Sequence, residues 1–265
     1  ILKDREVKAW TIAYLIQYYN WTAQFREALK LCQKLRSLYD KIKSPNFNIL
    51  LCFREGLIYG ALGLLDKADQ SLNNGLKQLE TGDDKFWRPR FLNTLGWIKS
   101  EKGHIDEALV LNKEALEMAL AIGDLESIYN SRINLGENYM ALGQQAKAKE
   151  ELQKTLQHVR RPGLYYTRWR YRTRLYIAMA ELNRKRGDLD QALVFANRAL
   201  KLSKETRAKK HQIRALMVKG LVQIQKGNRT GIKSLEEAHS LARSVGARIL
   251  IGQTARLINE YETTT

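Results

Sequence analysis

The sequence predicts an all-α solenoid of about six helix pairs plus a C-terminal helix, and three observations carry that reading. Gly63, Gly103, Gly143, Gly187 and Gly227 recur at intervals of 40, 40, 44 and 40 residues. A second mark stands at a fixed offset on either side of each. Gly56, Gly96, Gly136, Ala180 and Gly220 lie seven residues before, and Ala68, Ala108, Ala148 and Ala192 five after, with Ile232 in the fifth slot. Between the marks the apolar residues fall at helical spacing, with only three prolines in 265 residues and no β-branched alternation to compete. A period of this length describes units that bury their apolar faces against their neighbours in sequence.

The units follow in order. The first, about 6–43, is degenerate: one helix at about 6–20, another at about 24–42, and Ala23 in the slot of the turn glycine. The second spans 47–81. In the third, 87–122, Leu92, Leu95, Gly96 and Ile98 form an apolar face and Gly103 ends the helix as a C-cap. Asp106 and Glu107 then open the partner helix, where acidic residues suit the positive end of the dipole. The fourth unit, 126–160, repeats the pattern with Leu135, Gly136, Tyr139, Gly143, Ala148 and Leu152. The fifth, 167–206, does so with Ala180, Leu182, Gly187, Ala192, Ala196 and Ala199. A sixth unit at 210–245 and a terminal helix at 247–261 complete a single domain over 1–265. The small residues read as structural, because a bulky side chain there forces the paired helices apart at about 1–3 kcal/mol.

Composition narrows the classes further. With 44% hydrophobic residues the chain buries a core, and no run of 18 uncharged apolar residues suggests a membrane span. No charged and apolar leader opens it, so no signal peptide is expected; beginning at Ile1, it reads as a piece of a longer, cytoplasmic protein. Cys32 and Cys52 fall among apolar neighbours on adjacent helices; free thiols are the first reading, and a disulfide between them stays open. The four histidines show no metal-ligand spacing, so neither a metal nor a cofactor is expected. No phosphate-cradling loop, nucleophile elbow or metalloprotease motif occurs, and no enzyme is expected. The formal charge of +17 is uneven: +5 over residues 1–50, −3 over 51–150 and +15 over 151–265.

The marks resemble the tetratricopeptide repeat. That family's large residue, Leu-Gly, Tyr, Gly and Ala are matched by Leu135, Gly136, Tyr139, Gly143 and Ala148, and by Leu95, Gly96, Gly103 and Ala108 with Lys99 in place of the tyrosine. The units here are longer than the family's usual length. They are similar to the extended repeats of helical scaffold proteins and of sensor arms in bacterial signal-transduction NTPases and transcription activators. The resemblance implies a right-handed superhelix with the first helix of each pair on an inner wall. It also implies a non-catalytic module that binds a protein or peptide. Transferred onto this chain, the groove positions are Arg90, Asn93, Trp97, Asn130, Asn134, Glu137, Arg174, Glu181 and Arg214. A small-molecule inducer inside the superhelix is a further reading that the resemblance allows.

Segment 160–174 stands apart. It carries six arginines and no acid, interleaved with Tyr165, Tyr166, Trp169 and Tyr171, and it coincides with the 44-residue interval. Arginine forks pair with phosphates or carboxylates, and aromatics stack on bases. Arg160, Arg161, Arg168, Trp169, Arg170 and Arg172, with Lys209 and Lys210 at the next such turn, are therefore candidates for nucleic acid or another anionic partner. A plain solubilising surface is the competing reading.

Overall fold

The turn glycines work as the spacing predicts. In the computed structural model, which describes residues 2–42, 45–80, 85–159 and 168–262, Gly63, Gly103, Gly143, Gly187 and Gly227 all have positive φ. At Gly143 the φ of 71° lets its N–H reach Met140 O at 3.3 Å while Gln144 N reaches Tyr139 O at 2.8 Å. These two bonds satisfy carbonyls at the end of the helix, which is the Schellman arrangement. Ala23, with φ 60°, takes this role in the first turn, and Arg207, with φ 55°, does so in a later one.

Thirteen α-helices result among the described residues: six pairs and a last helix, an all-α solenoid fold. They are α1 (Leu2–Trp21), α2 (Phe25–Ile42), α3 (Pro45–Leu62), α4 (Leu65–Leu79), α5 (Trp87–Glu101) and α6 (Ile105–Ile122). There follow α7 (Leu125–Ala141), α8 (Gln145–Val159), α9 (Arg168–Lys185), α10 (Leu189–Glu205), α11 (Lys209–Gln225), α12 (Thr230–Val245) and α13 (Arg248–Glu262). The chain divides into two units, residues 1–128 and 129–265, and the division falls inside α7.

Within the first unit the even-numbered helices present a buried column of fixed spacing: Ala28, Cys32 and Leu35 on α2, and Ala68, Leu72, Gly75 and Leu79 on α4. On α6 the column is Ala108, Asn112, Ala115 and Ala119. Gly75 has to be small because the Phe91 ring of α5 fills the space a Cβ would need. Cys32 and Cys52 are free, buried thiols; burial, with the nearby Glu55 carboxylate, pushes Cys32 up to about 12.

The second unit repeats the column with Ala148, Leu152, Thr155 and Val159 on α8, and Ala192, Ala196, Ala199 and Ser203 on α10. On α12 it is Gly231, Leu235, Ala238 and Ala242. This corrects the sequence register, which put Ile232 in that slot. The reason is a close approach of backbones: a Cβ on Gly231 would stand 2.5 Å from Gly220 O, and one on Gly220 2.8 Å from Gly231 O. Ile232 is only half-buried.

Candidate ligand pocket on the odd-numbered helices

Counting back from each turn glycine places the candidate residues in register. Thirteen residues before Gly103, Gly143, Gly187 and Gly227 stand Arg90, Asn130, Arg174 and Arg214. Four residues nearer the turn, one helical turn along the same face, stand Thr94, Asn134, Ala178 and Val218. Three further on come Trp97, Glu137, Glu181 and Leu221.

In the first unit these positions are engaged within the fold. Arg90 is only 10% exposed; it donates to Asp124 through Nη2 at 2.8 Å, to Phe86 O through Nη1 at 2.8 Å, and lies 3.5 Å from the Phe86 ring centroid. Asn93 is buried and donates to Asn112 Oδ1 at 3.0 Å, while Asn112 donates to Ala108 O at 2.8 Å. Trp97 donates to Glu101 Oε1 at 2.9 Å, and its ring leaves only 2.7 Å for a Cβ on Gly60 of α3. These three therefore tie α5 to its surroundings.

In the second unit the same positions converge. Arg174 of α9 donates to Asn130 Oδ1 at 2.7 Å and Asn134 Oδ1 at 2.6 Å, both on α7, and sits 3.5 Å from Glu137 Oε2. Arg214 of α11 donates to the other oxygen of Glu137 at 2.9 Å. Burial acts to raise the Glu137 carboxyl, but Arg214 and Arg174, with Lys210, outweigh it and hold the group below the usual carboxylate range. Glu181 is paired along its own helix, receiving Arg184 Nε at 2.8 Å and Nη2 at 2.6 Å.

Beside this network lies a pocket of about 290 Å³. Glu137 and Met140 of α7, and Ile177, Ala178 and Glu181 of α9, form one side. Arg214, Met217, Val218 and Leu221 of α11 form the other, with Gln253 of α13 and Lys185 at its margin. Every lining residue comes from an odd-numbered helix. The apolar lining is absent from the sequence-derived candidates: Ile177 and Ala178 follow Arg174, and Met217 and Val218 follow Arg214, by three and four residues, a helical spacing that core residues share.

The anionic-partner candidates separate in space. Arg160 and Arg161 lie outside the described residues, as do the side chains of Arg168 and Trp169. Arg172 is exposed and reaches Tyr176 Oη at 3.4 Å; Lys209 is exposed as well. Arg170 and Lys210, both half-buried, stand close enough to the His211 ring to act on it together with Arg174 and Arg214. Burial first, then those four cations, push the His211 imidazolium well below its ordinary range. Among the described residues no group of three His, Cys, Asp or Glu could hold a metal ion.

Residues 129–157, which span most of α7 and α8, match the tetratricopeptide repeat family. The fold is of the tetratricopeptide type. No curated protein matches the chain by sequence. Among solved tetratricopeptide-like structures, NprR in complex with its cognate peptide NprX is similar at a TM-score of 0.72 and 15% identity, over 97% of this chain and 74% of that one. A Rap protein complexed with competence and sporulation factor is similar at 0.70 and 11%, over 96% and 80%. A signal-transduction ATPase with a tetratricopeptide repeat sensor, from Pyrococcus horikoshii, is similar at 0.50 and 17%, over 97% of this chain and 40% of that one. No helix among the described residues is long and apolar enough to cross a membrane.

Proposed function

We propose that this chain is a non-catalytic sensor module of a regulatory protein and that it recognises a short peptide or an extended protein segment. The observation that carries the reading is the pocket, which has an apolar floor of Met140, Ile177, Met217 and Val218 beside the fixed polar groups Glu137 and Arg214. A concave site with an apolar lining and a few oriented polar groups is what an extended peptide needs for one anchoring side chain and its backbone. The two peptide- or factor-bound relatives, NprR and the Rap protein, support this class of ligand. The ATPase relative supports a sensor role within a larger protein.

The test is selection of peptides by the full chain from a phage-displayed pool of random heptapeptides. Met217→Arg serves as the control, since half-buried Met217 lines the pocket and a longer charged side chain there fills it. The expected result is enrichment of peptides that bind the wild type and not the variant, with matched circular dichroism showing that both are folded. If nothing is enriched, or if the folded variant retains the same peptides, the pocket is not a peptide site.

A further inference from the structure

The turns that lead from one helix pair to the next can be compared residue by residue. Ala119, Ser203 and Ala242 are fully buried near the ends of α6, α10 and α12, and they bring residues 117–126, 201–210 and 240–249 into register. The first segment holds three acids and no Lys or Arg, the second five Lys and Arg against one acid, and the third two arginines and no acid. Glu117, Leu120 and Leu125 of the first thus correspond to Lys201, Lys204 and Lys209 of the second, and Gly123 to Arg207.

Folding explains the acidic turn and not the basic ones. Asp124 accepts from Ser127 N at 3.2 Å at the start of α7 and from Arg90 at 2.8 Å. In the second unit Arg207 takes a left-handed φ of 55°, where Gly123 and Gly246 stand at 68° and 69°, although a side chain disfavours that conformation. Lys209 opens α11, so its charge adds to the positive end of the helix dipole instead of offsetting it. Lys201 reaches Glu205 only at 4.0 Å, and both are exposed. Among the described residues Lys204, Arg207, Lys209, Arg243 and Arg248 have no carboxylate partner, and all five are exposed. Choices that oppose local stability without a compensating contact point to function.

We infer that the α10–α11 turn, continued by Arg243 and Arg248 at the α12–α13 turn, binds the phosphate backbone of double-stranded DNA without reading its sequence. This is a second site, since no residue lining the pocket belongs to either turn. The chemistry of the surface selects the partner. Every exposed residue in 201–210 and 240–249 is a Lys, an Arg, a Ser or the single Glu205, and neither segment contains an aromatic residue. A protein partner requires an apolar interface core, from which lysine is depleted. A single strand is held by aromatic rings on which its bases stack. A duplex backbone is met by cations and hydroxyls that donate to phosphate oxygens, and these two turns present nothing else in quantity.

The test is fluorescence anisotropy of a labelled mixed-sequence DNA duplex of about 15 base pairs, titrated with the full chain between about 0.05 and 0.2 M salt. The wild type should bind at low salt with a Kd of about 100 μM or tighter, whatever the duplex sequence. A Lys204→Gln, Arg207→Gly, Lys209→Gln variant should bind about tenfold more weakly at low salt, and its slope of log affinity against log salt should fall by about 2 to 3, for three lost phosphate contacts. Its urea midpoint should not drop, because glycine relieves the left-handed turn and Lys209 no longer opposes the dipole, so the loss is not one of folding. An Arg186→Gln, Arg229→Gln, Lys233→Gln variant removes the same charge at exposed positions by the turns within pairs, and it should keep the affinity within about threefold and the slope nearly unchanged. Equal losses in the two variants overturn the site, since the charge then acts as a diffuse excess. No binding by the wild type at low salt overturns it as well. So does equal binding of a polyglutamate peptide of the same charge, which would make the partner an acidic protein.

Discussion

Gly143 and Gly136 are both glycines of the repeat, yet they are required for unrelated reasons. Gly143 has a φ of 71° and nothing within 4 Å of an added Cβ, so replacing it costs only backbone strain, about 1–2 kcal/mol. Gly136 lies inside α7, and a Cβ there would stand 2.8 Å from Leu152 Cδ2, so its replacement costs about 1–3 kcal/mol by overpacking. Urea unfolding of a double-mutant cycle with Leu152→Ala separates the two. In the Leu152→Ala background the cost of Gly136→Ala should fall by about half or more, because the clashing atoms are gone, whereas the cost of Gly143→Ala should stay unchanged. Equal coupling of both glycines to Leu152 would mean that the turn and the packing slot are not independent. At this scale the fold was legible wherever function needs one residue type. Ala23 was found in its turn by position alone. Arg207 was not, because an arginine in a left-handed turn leaves no mark in composition. Gly231 was missed for a different reason, since the close approach of two backbones shifts the slot without altering the glycine period.

Among the elements of the second unit, one side chain joins three helices. Glu137 projects from α7 to Arg174 on α9 and Arg214 on α11, and Arg174 returns to Asn130 and Asn134. Burial disfavours the Glu137 charge, but the arginines and Lys210 more than offset it, so its folded pKa lies below its unfolded one. A depressed carboxyl contributes stability above the unfolded pKa of about 4.3, and that contribution is lost as pH falls through the folded value. Glu137→Gln should therefore lower stability by about 1–3 kcal/mol near neutral pH, since it leaves two partly buried arginines short of a charged acceptor. Denaturant unfolding of both proteins between about pH 7 and pH 3 should show the difference shrinking toward zero in acid. A difference that stays constant over that range would show that shape, not charge, is what Glu137 supplies. These polar positions were legible through the resemblance to the tetratricopeptide repeat, whose groove positions transfer by register, while the pairing of Arg90 with Asp124 was not, since that acid belongs to the neighbouring turn. The apolar floor of the pocket escaped for the opposite reason. In a solenoid an Ile or Met at helical spacing looks the same whether it faces the core or a cavity.

Over the whole molecule the charge follows the division of the chain. Residues 1–128 hold 18 Lys and Arg against 17 Asp and Glu, and residues 129–265 hold 27 against 11, so almost all of the excess lies with the pocket. Such an excess attracts polyanions without specificity and is screened by salt, whereas the partly buried ion pairs of Glu137 beside the pocket are screened much less. The two effects belong to different residues and should separate. Reversing exposed charges away from the pocket, with Arg172→Glu, Lys201→Glu, Lys204→Glu and Lys209→Glu, should move elution from a heparin column to markedly lower salt. The same variant should keep its affinity for a pocket-selected peptide within about twofold, since long-range fields govern encounter rates more than the contacts that hold a ligand. Raising salt from about 0.05 to 0.2 M should abolish heparin retention by that variant while weakening the peptide far less. Parallel loss of both activities would show that the basic half acts as one undivided surface, and the pocket would then have no claim to selectivity of its own.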